Sequence, residues 1–292
     1  MIELLAPAGN PEALRGAVYA GADAVYFGAQ TFNARAEAGN FGPDELERAF
    51  SFCRTYGVKA YITLNTLVSD RELPDALALV DGLCALGGPD ALIVQDLGLA
   101  AALHRRYPAL PLHASTQMGF HSTLAVPLLR ERGFTRVVLA REMSLDQIGR
   151  IARGLETELF AHGALCVCQS GGCLMSALIG GRSGNRGACA QPCRLPYRAP
   201  NAYPLSLKDL CLASHIPALL QSGVTSLKLE GRMKSAEYVY AVTKIYRRLL
   251  DERRAAAPAE LDELAAVFSR SGFTDGYFAG RVGKSMFGVR TE

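Results

Sequence analysis

The feature that most constrains the fold of this chain is an alternation of short β-prone runs with amphipathic stretches, repeated eight times at intervals of about thirty residues. The predicted strands are residues 2–5, 24–27, 59–64, 91–94, 112–114, 136–139, 158–161 and 226–229. The predicted helices begin near Pro11, Pro43, Leu73, Leu97, Thr123, Leu145, Leu207 and Ser235. This pattern, within about 250 residues, predicts a TIM-type (βα)8 barrel. A doubly wound open sheet is the alternative, but no G-x-G-x-x-G follows the first strand.

Composition narrows the class of protein. Of 292 residues, 49% are apolar and 20% charged, which suits one large core and excludes a disordered chain. No run approaches the roughly 20 apolar residues of a membrane span, and no secretory signal is evident at the start. We therefore expect no membrane association and a cytoplasmic location. In a reducing compartment the 8 cysteines are expected to be buried thiols, redox groups or metal ligands rather than disulfides.

Charge is distributed unevenly along the chain. Residues 1–150 carry 13 basic and 16 acidic side chains, and the remainder carries 18 and 12, so the second half has a net charge of +6. This excess is too small to identify a nucleic-acid-binding arm by itself. It does allow an anionic partner, such as RNA or a small dicarboxylate.

Polar residues follow six of the predicted strands, at the end of a barrel where active sites are built. Three are the candidate catalytic residues: His113, His162 and Glu230. Four are the candidate substrate-binding residues: Arg141, Arg232, Asn65 and Gln117. A guanidinium suits a carboxylate ligand, although Arg141 and Arg232 could instead pair with the adjacent Glu142 and Glu230. Each histidine could equally be a buried core residue.

A segment of about forty residues, 163–204, interrupts the pattern after the seventh strand and is far longer than a usual βα connection. This segment, the cysteine loop, has the spacing C-x-C-x4-C-x15-C-x3-C, many glycines and no acidic residue. Thiolates that converge from one flexible segment suit a tetrahedral metal site or an iron–sulfur cluster. Spacing alone leaves iron–sulfur, zinc and unligated thiols open. Cys53 and Cys84 fall in helical patterns and are expected to be buried.

The cysteine loop also carries the candidate RNA-binding residues, Arg182, Arg186, Arg194 and Arg198. Tyr197 and Tyr203 could add stacking surfaces for bases. The alternative is that the arginines neutralise thiolate charge at a metal centre. In the predicted domain organisation, residues 1–254 form the barrel with the cysteine loop at 163–204. Residues 255–292 form a linker, a helix from 260 to about 269 and a tail, which is either part of a truncated domain or docked on the barrel.

Several segments resemble the collagenase-like peptidase family U32, and the likeness extends over nearly the whole chain. They are LLAPAGNPEALRGAVYAGADAVYFG at the start, GALC and SGGCLMSALIGGRSGNRGACAQPCR in the centre, and LSLKDLC and LKLEGRMKSAEYV later. Relatives in this family support hydroxylation of an rRNA cytidine, a tRNA uridine or ubiquinone precursors. For this chain the resemblance implies an enzyme that supports hydroxylation of an rRNA cytidine or a tRNA uridine, with prephenate as oxygen donor. It also implies a [4Fe-4S] cluster on Cys166, Cys173, Cys189 and Cys193, with Cys168 as a neighbour.

Two other functions stay open at this point. The family name implies a peptidase, although no G-x-S-x-G, H-E-x-x-H or papain-type motif is present. A nucleophile for peptide hydrolysis would have to be Cys168 or Cys211. The second of these functions is that of a non-catalytic, cluster-bearing partner in a hydroxylation complex. A protein partner or a homodimer is therefore also to be considered.

Overall fold

The computed structural model describes residues 2–35, 38–198 and 202–288, and its centre is a closed barrel. The strands are β1 Glu3–Pro7, β2 Ala24–Phe27, β3 Lys59–Leu64, β4 Ala91–Val94, β5 Leu112–Ala114, β6 Phe134–Val138, β7 Glu156–Gly163, β8 Asp209–Cys211, β9 Ser226–Leu229 and β10 Phe273–Thr274. Strands β1 to β7 are parallel neighbours in chain order. Strand β9 lies parallel between β7 and β1 and closes the ring. The predicted TIM-type barrel is confirmed.

The strand predictions agree closely with the structure. Five predicted strands, 24–27, 59–64, 91–94, 112–114 and 226–229, have the observed bounds. The first, sixth and seventh strands are displaced or extended by one or two residues. In β7 the prediction began at Glu158, whereas the strand begins at Glu156 because that segment pairs with β6. Apolar patterning marks the buried centre of a strand, but hydrogen bonding to a neighbour determines its ends.

Helices surround the barrel in the order α1 Pro11–Tyr19, α2 Pro43–Tyr56, α3 Leu73–Ala85, α4 Leu97–Arg106, α5 Val126–Glu131, α6 Leu145–Ile151, α7 Met175–Gly180, α8 Ile216–Gln221, α9 Ala236–Glu252 and α10 Pro258–Val267. Two predicted caps are present. The side chain of Asn10 accepts a hydrogen bond from the Ala13 amide, and Ser144 forms a capping box with Gln147. Within the described ranges, no helix has the length and apolar character that a membrane crossing demands.

One helix prediction is wrong. A helix was expected to begin near Leu207, but Asp209–Cys211 forms β8, and α8 begins only at Ile216. Strand β8 runs antiparallel to the end of β7, where Cys211 pairs with His162, and β10 pairs parallel with β8. The Leu212 amide donates to the Ala161 carbonyl at 2.9 Å. These pairings with distant segments override the local helical pattern.

The interior of the barrel contains a layer of charged residues near the amino ends of the strands. Arg136 pairs with Glu3 and Glu158, and the ammonium of Lys228 lies 2.8 Å from Glu158 Oε1. The Tyr61 hydroxyl donates to Glu3 at 2.7 Å. These buried charges are compensated by one another, as burial in a low-dielectric interior requires. Lys228 also lines the cavity at the carboxyl ends of the strands, so it connects this network to that cavity.

The segment that follows α9 packs against the barrel. Leu264 of α10 is fully buried, and the carbonyl of Phe278 accepts a hydrogen bond from Leu145 at the start of α6. The carbonyl of Met286 accepts from the Lys208 amide at 2.8 Å. The described part of the expected 255–292 tail is therefore docked on the barrel. The domain boundary at 254 stays a prediction.

Candidate functional site

A cavity of about 400 Å³ opens at the carboxyl ends of the barrel strands. We call it the mouth cavity. Its floor and walls include Tyr26 of β2, Thr63 of β3 and Phe160 of β7, and the cysteine loop forms one side. Parallel strands place the residues that follow them at one end of the barrel, so side chains that are distant in sequence meet here. The position expected for the functional site from the strand ends is the position of this cavity.

The cysteine loop is held on the barrel by specific close contacts. Gly171 has φ +77°, and a Cβ built on it would lie 1.9 Å from the Gln117 carbonyl oxygen, so this approach admits only glycine. The hydroxyl of Ser170 donates to Glu142 at 2.8 Å, and its amide donates to the same carboxylate. Glu142 therefore binds the loop, and in this structure it does not form the alternative ion pair with Arg141. The side chain of Asn185 donates to Gln95 at 2.7 Å.

Four thiols line the mouth cavity, and they are the four that the family resemblance selects as cluster ligands: Cys166, Cys173, Cys189 and Cys193. Cys168 is not among the lining residues. The thiols also influence one another electrostatically. Burial raises the pKa of Cys193, Arg194 opposes this, and Cys166, Cys189 and Cys173 raise the pKa further. Four soft donors around one cavity suit an iron–sulfur cluster.

The thiols are not gathered as they would be around a single ion. In the described ranges, no three His, Cys, Asp or Glu side chains form a group that could hold a metal ion. The donor set fits a thiolate-bound group by its chemistry and by its common cavity, and its identity stays a prediction. The remaining cysteines lie elsewhere: Cys53 is buried in α2 and Cys84 is half-buried in α3. Burial raises the pKa of both thiols, which suits inert core residues.

Glu230 is the centre of a cationic cluster in the cavity wall. Its Oε2 atom lies 3.0 Å from Arg141 Nη2 and 3.3 Å from Arg35 Nη2. Burial would raise the pKa of Glu230, but Arg35, Arg141 and Arg232 outweigh it and lower the pKa to about 2. The Arg141 guanidinium lies 3.9 Å from the centroid of the Phe160 ring, and its Nε atom is buried without a hydrogen-bond partner in the described structure. Arg141 thus retains a donor beside the cavity.

Cations outnumber anions in the cavity wall. Arg232 is buried and donates to Thr63 Oγ1 at 2.9 Å, and not to Glu230 as the alternative had it. Burial and the neighbouring Arg35 lower the pKa of Arg232 to about 10, so it stays charged at neutral pH. The lining carboxylates are Asp209 and Glu230. The lining cations are Arg35, Arg141, Arg194, Lys228, Arg232, Lys234 and Arg270. Such a cavity favours a small anion.

Arg35 is the functional residue that the sequence reasoning missed. It lies in the long connection from β2 to α2, and the predicted strand-end residues included none from this connection. The rule that residues after strands meet at the mouth applies to it equally. The Ala34 amide donates to Asn65 Oδ1 at 3.0 Å, so Asn65 holds the backbone next to Arg35. Asn65 and Gln117 both line the cavity, and their substrate-binding roles stay predictions.

The two candidate catalytic histidines have different positions. His162 lines the mouth cavity and is packed edge-on against Tyr246 and Phe273. Burial lowers its pKa to about 4, so the ring is neutral at physiological pH. His113 does not line the cavity, and the expectation that it lies at the mouth is wrong. It faces the interior beside Tyr61, one layer below the cavity-lining Ser115, because alternate residues of β5 point inward.

The arginines of the cysteine loop also differ. Arg194 is only 4% exposed and donates to the carbonyls of Leu165 and Leu207. Its assignment as an RNA contact is wrong, since the guanidinium is used to hold the loop. Arg186 forms two hydrogen bonds with Glu72 at 2.8 and 3.0 Å at the surface. Arg182 donates to the Ala188 carbonyl, and Arg198 is exposed. The RNA-binding roles of these three stay predictions.

Cys211, one of the two cysteines considered as a peptidase nucleophile, is buried away from the mouth cavity. Its sulfur lies 3.8 Å from the Tyr246 hydroxyl. Burial raises the pKa of the Cys211 thiol, and that of Cys168 as well. A catalytic cysteine needs a lowered pKa, because the thiolate is the nucleophile. Neither environment suits peptide hydrolysis.

The fold and the site together define the class of protein. It is a TIM-type barrel in which four loop thiols and a cationic wall line the mouth cavity. Residues 9–287 match the family model described as peptidase family U32. The chain belongs to this family, as the sequence resemblance indicated. A solved structure titled "The Structure of the U32 Peptidase Mk0906" has a similar fold, with a TM-score of 0.55 over 79% of this chain and 94% of that one, at 13% identity.

Curated relatives have more specific names. The chain is 41% identical, over its full length, to the "23S rRNA 5-hydroxycytidine C2501 synthase" of Escherichia coli strain K12 and covers 45% of that protein. It is 37% identical to "tRNA hydroxylation protein P1" of Bacillus subtilis strain 168, covering 99% of this chain and 74% of that one. It is 34% identical to the "Collagenase" of Porphyromonas gingivalis, covering 96% and 74%. The chain thus spans less than half of the E. coli relative.

Proposed function

We propose that this chain is an RNA-modifying enzyme that supports hydroxylation of a pyrimidine base in rRNA or tRNA. The observation that carries the proposal is the mouth cavity, in which four thiols and a cationic wall face the same space. Relatives of the chain at 41% and 37% identity are named for hydroxylation of rRNA and tRNA. We propose a cytoplasmic location for such an enzyme.

The proposed cofactor is a [4Fe-4S] cluster held by Cys166, Cys173, Cys189 and Cys193, with zinc as the alternative. The support is that all four thiols line one cavity while Cys168 does not. When bound, such a cluster supplies one-electron redox chemistry to the site. The backbone amide of Gln191 donates to the Cys189 sulfur at 3.4 Å, which is a contact of the kind that tunes the potential of a thiolate-bound cluster.

The proposed co-substrate is a small dicarboxylate such as prephenate. Guanidinium groups bind carboxylates through parallel hydrogen bonds, and Arg141 and Arg232 both line the cavity. Arg35 adds a third guanidinium, which contacts the same Glu230 oxygen as Arg141. In the protein described here Glu230 holds Arg35 and Arg141 in place, so that they are positioned before a ligand arrives. His162 is neutral and can accept or donate one hydrogen bond near a bound base.

The test is the nucleoside composition of RNA from cells that lack the gene. Mass spectrometry of rRNA and tRNA nucleosides should show that a hydroxylated pyrimidine is lost on deletion and restored by the wild-type gene. Arg141→Ala should fail to restore it, with at least a roughly tenfold reduction, because a group that positions the ligand is lost. The matched control is Arg150→Ala, which removes an arginine paired with Asp146 on the exposed face of α6.

Two results would contradict the proposal. An unchanged nucleoside profile in the deletion strain would remove RNA hydroxylation as the function. Cleavage of gelatin by the purified chain, retained after Cys173→Ala, would favour the peptidase alternative. A modification that is lost on deletion, yet is performed in vitro only when a second protein is added, would assign the chain the role of a cluster-bearing partner.

A further inference from the structure

Helix α7, which lies within the cysteine loop between Cys173 and Cys189, exposes its largest apolar side chains. Leu178 is 81% exposed, Ile179 is 67% exposed, and Leu174, directly before the helix, is 66% exposed. Leu174 and Leu178 are four residues apart and lie on one face of the helix. We call these three residues the apolar ridge. A soluble helix normally turns such side chains inward, so an exposed cluster of this kind marks a contact surface.

The polar face of the same helix points toward the mouth cavity. Ser176 is buried, lines the cavity and accepts a hydrogen bond from the Ala190 amide at 3.0 Å. Cys173, just before the helix, also lines the cavity. The helix therefore stands on the rim, with Ser176 toward the cavity and the apolar ridge toward solvent. The apolar ridge therefore lies one helix width from the cavity lining.

The charges around the apolar ridge favour an anionic polymer. The cysteine loop contains no acidic residue, and Arg182 follows the last residue of the helix by two positions. Arg186 follows it by six positions and is held at the surface by Glu72. The surface near the ridge therefore combines exposed apolar side chains with guanidinium groups. Proteins that distort nucleic acids have the same combination, since arginines contact phosphates and apolar side chains replace stacking between bases.

The reaction itself requires an unstacked base. A pyrimidine that is stacked between its neighbours cannot enter the mouth cavity, so the target nucleotide has to leave its stack. The gap that it leaves must be filled, and an apolar side chain at the rim can fill it. We propose that the apolar ridge inserts into the RNA stack beside the target nucleotide and stabilises the extruded base in the mouth cavity. This inference rests on the proposed function and adds the element that opens the RNA.

The experiment compares Leu178→Ser/Ile179→Ser with the wild-type protein on a hairpin RNA that carries 2-aminopurine in its loop. The fluorescence of this base rises when it is unstacked. Wild-type protein should raise the fluorescence, and the double variant should bind roughly tenfold more weakly, because the contribution of stacking is lost, and should leave the fluorescence unchanged. The replaced side chains are exposed, so the fold and the cofactor spectrum should be unaffected.

Two controls separate the ridge from other effects. Leu124→Ser alters a leucine that is 88% exposed and does not line the mouth cavity, and it should behave as wild type. Arg186→Ala should weaken RNA binding in a salt-dependent manner yet preserve the fluorescence rise, since it removes a proposed phosphate contact and leaves the apolar ridge intact. Equal losses in the Leu124 and Leu178 variants would overturn the assignment of the ridge.

The outcomes also separate this inference from the proposed function. If cells with the double variant hydroxylate RNA as wild-type cells do, the proposed insertion of the apolar ridge into RNA is overturned and the proposed function stands. If the wild-type gene has no effect on the nucleoside profile, the proposed function fails first. If light scattering shows that the wild-type chain is a dimer and the double variant a monomer, the ridge is an interface between copies and the RNA wedge is overturned.

Discussion

Glu230 accepts hydrogen bonds from Arg141 at 3.0 Å and from Arg35 at 3.3 Å through the same carboxylate oxygen. One acidic side chain thus fixes two guanidinium groups that come from different connections of the barrel. Glu230, Arg141 and Arg35 all line a cavity whose wall is mostly cationic. Glu230 therefore both stabilises the folded protein and positions the groups that would bind an anionic ligand.

Replacement of Glu230 should reveal this ion pair through the pH dependence of stability. Because the folded pKa is about 2, below the value of about 4.3 expected in the unfolded chain, the carboxylate stabilises the fold above pH 4.3. That contribution is lost as the pH falls toward 2. Glu230→Gln should lower the free energy of unfolding by about 3 kcal/mol at pH 7 and by about half as much at pH 3. Urea unfolding at both pH values measures this difference.

The control for this prediction is Glu12→Gln, which alters an exposed pair with Arg15 on α1. It should show almost the same stability as the wild-type protein at both pH values, since exposed ion pairs contribute little. A loss of stability in Glu230→Gln that does not change between pH 7 and pH 3 would mean that the carboxylate charge is not the cause.

The cysteines provide a prediction about cofactor content. Alanine at Cys166, Cys173, Cys189 or Cys193 should abolish bound iron, because in the proposed cluster each would supply one of four ligands. Cys168→Ala is the matched control, as it removes a thiol from the same loop that does not line the cavity, and it should retain iron. Iron and sulfide analysis of anaerobically purified protein, with the absorbance near ~400 nm, measures the outcome. Zinc in place of iron in the wild-type protein would reject the cluster.

Gly171 provides a test of how the cysteine loop is docked. A Cβ added at residue 171 would overlap the Gln117 carbonyl, and the alanine would have to adopt φ +77°. Gly171→Ala should therefore destabilise the docked loop by more than about 1 kcal/mol. Trypsin should then cleave at Arg182 and Arg186 more rapidly than in the wild-type protein. Gly172→Ala is the neighbouring control, because its Cβ would make ordinary van der Waals contacts, with the Gln169 carbonyl oxygen at 3.6 Å and the Gln169 Cβ at 3.9 Å. Equal cleavage rates for the two variants would contradict the close contact.

Arg194 and Arg186 should separate structural from RNA-binding arginines. Arg194→Met leaves the carbonyls of Leu165 and Leu207 without their donor and should lower the free energy of unfolding by about 1–3 kcal/mol. Arg186→Met should leave stability nearly unchanged and reduce the salt dependence of RNA binding by roughly one unit of slope. Thermal unfolding and titrations at several salt concentrations measure the two effects. The reverse pattern would restore Arg194 as an RNA contact.

Local sequence signals determined most of the secondary structure. Caps such as Asn10 and Ser144 and the apolar periodicity of the strands act over a few residues, so they can be recognised without knowledge of the fold. The same signals failed at Asp209–Cys211, which forms a strand because the end of β7 offers it hydrogen-bonding partners. Pairing between distant segments is not written in the local pattern.

The sequence by itself also identified which connections between strands and helices form the site. It located the active end of the barrel and the cysteine loop, and the family resemblance selected the four thiols that line one cavity. Only the tertiary structure decided which side chains face that cavity. Arg35 reaches it because barrel closure brings the β2 connection beside Glu230. Arg194 is buried because of the way the cysteine loop docks on the barrel. His113 lies one layer below the cavity, beside Tyr61, because alternate residues of a strand point to opposite sides. Those are properties of packing between distant segments, which a linear pattern does not contain.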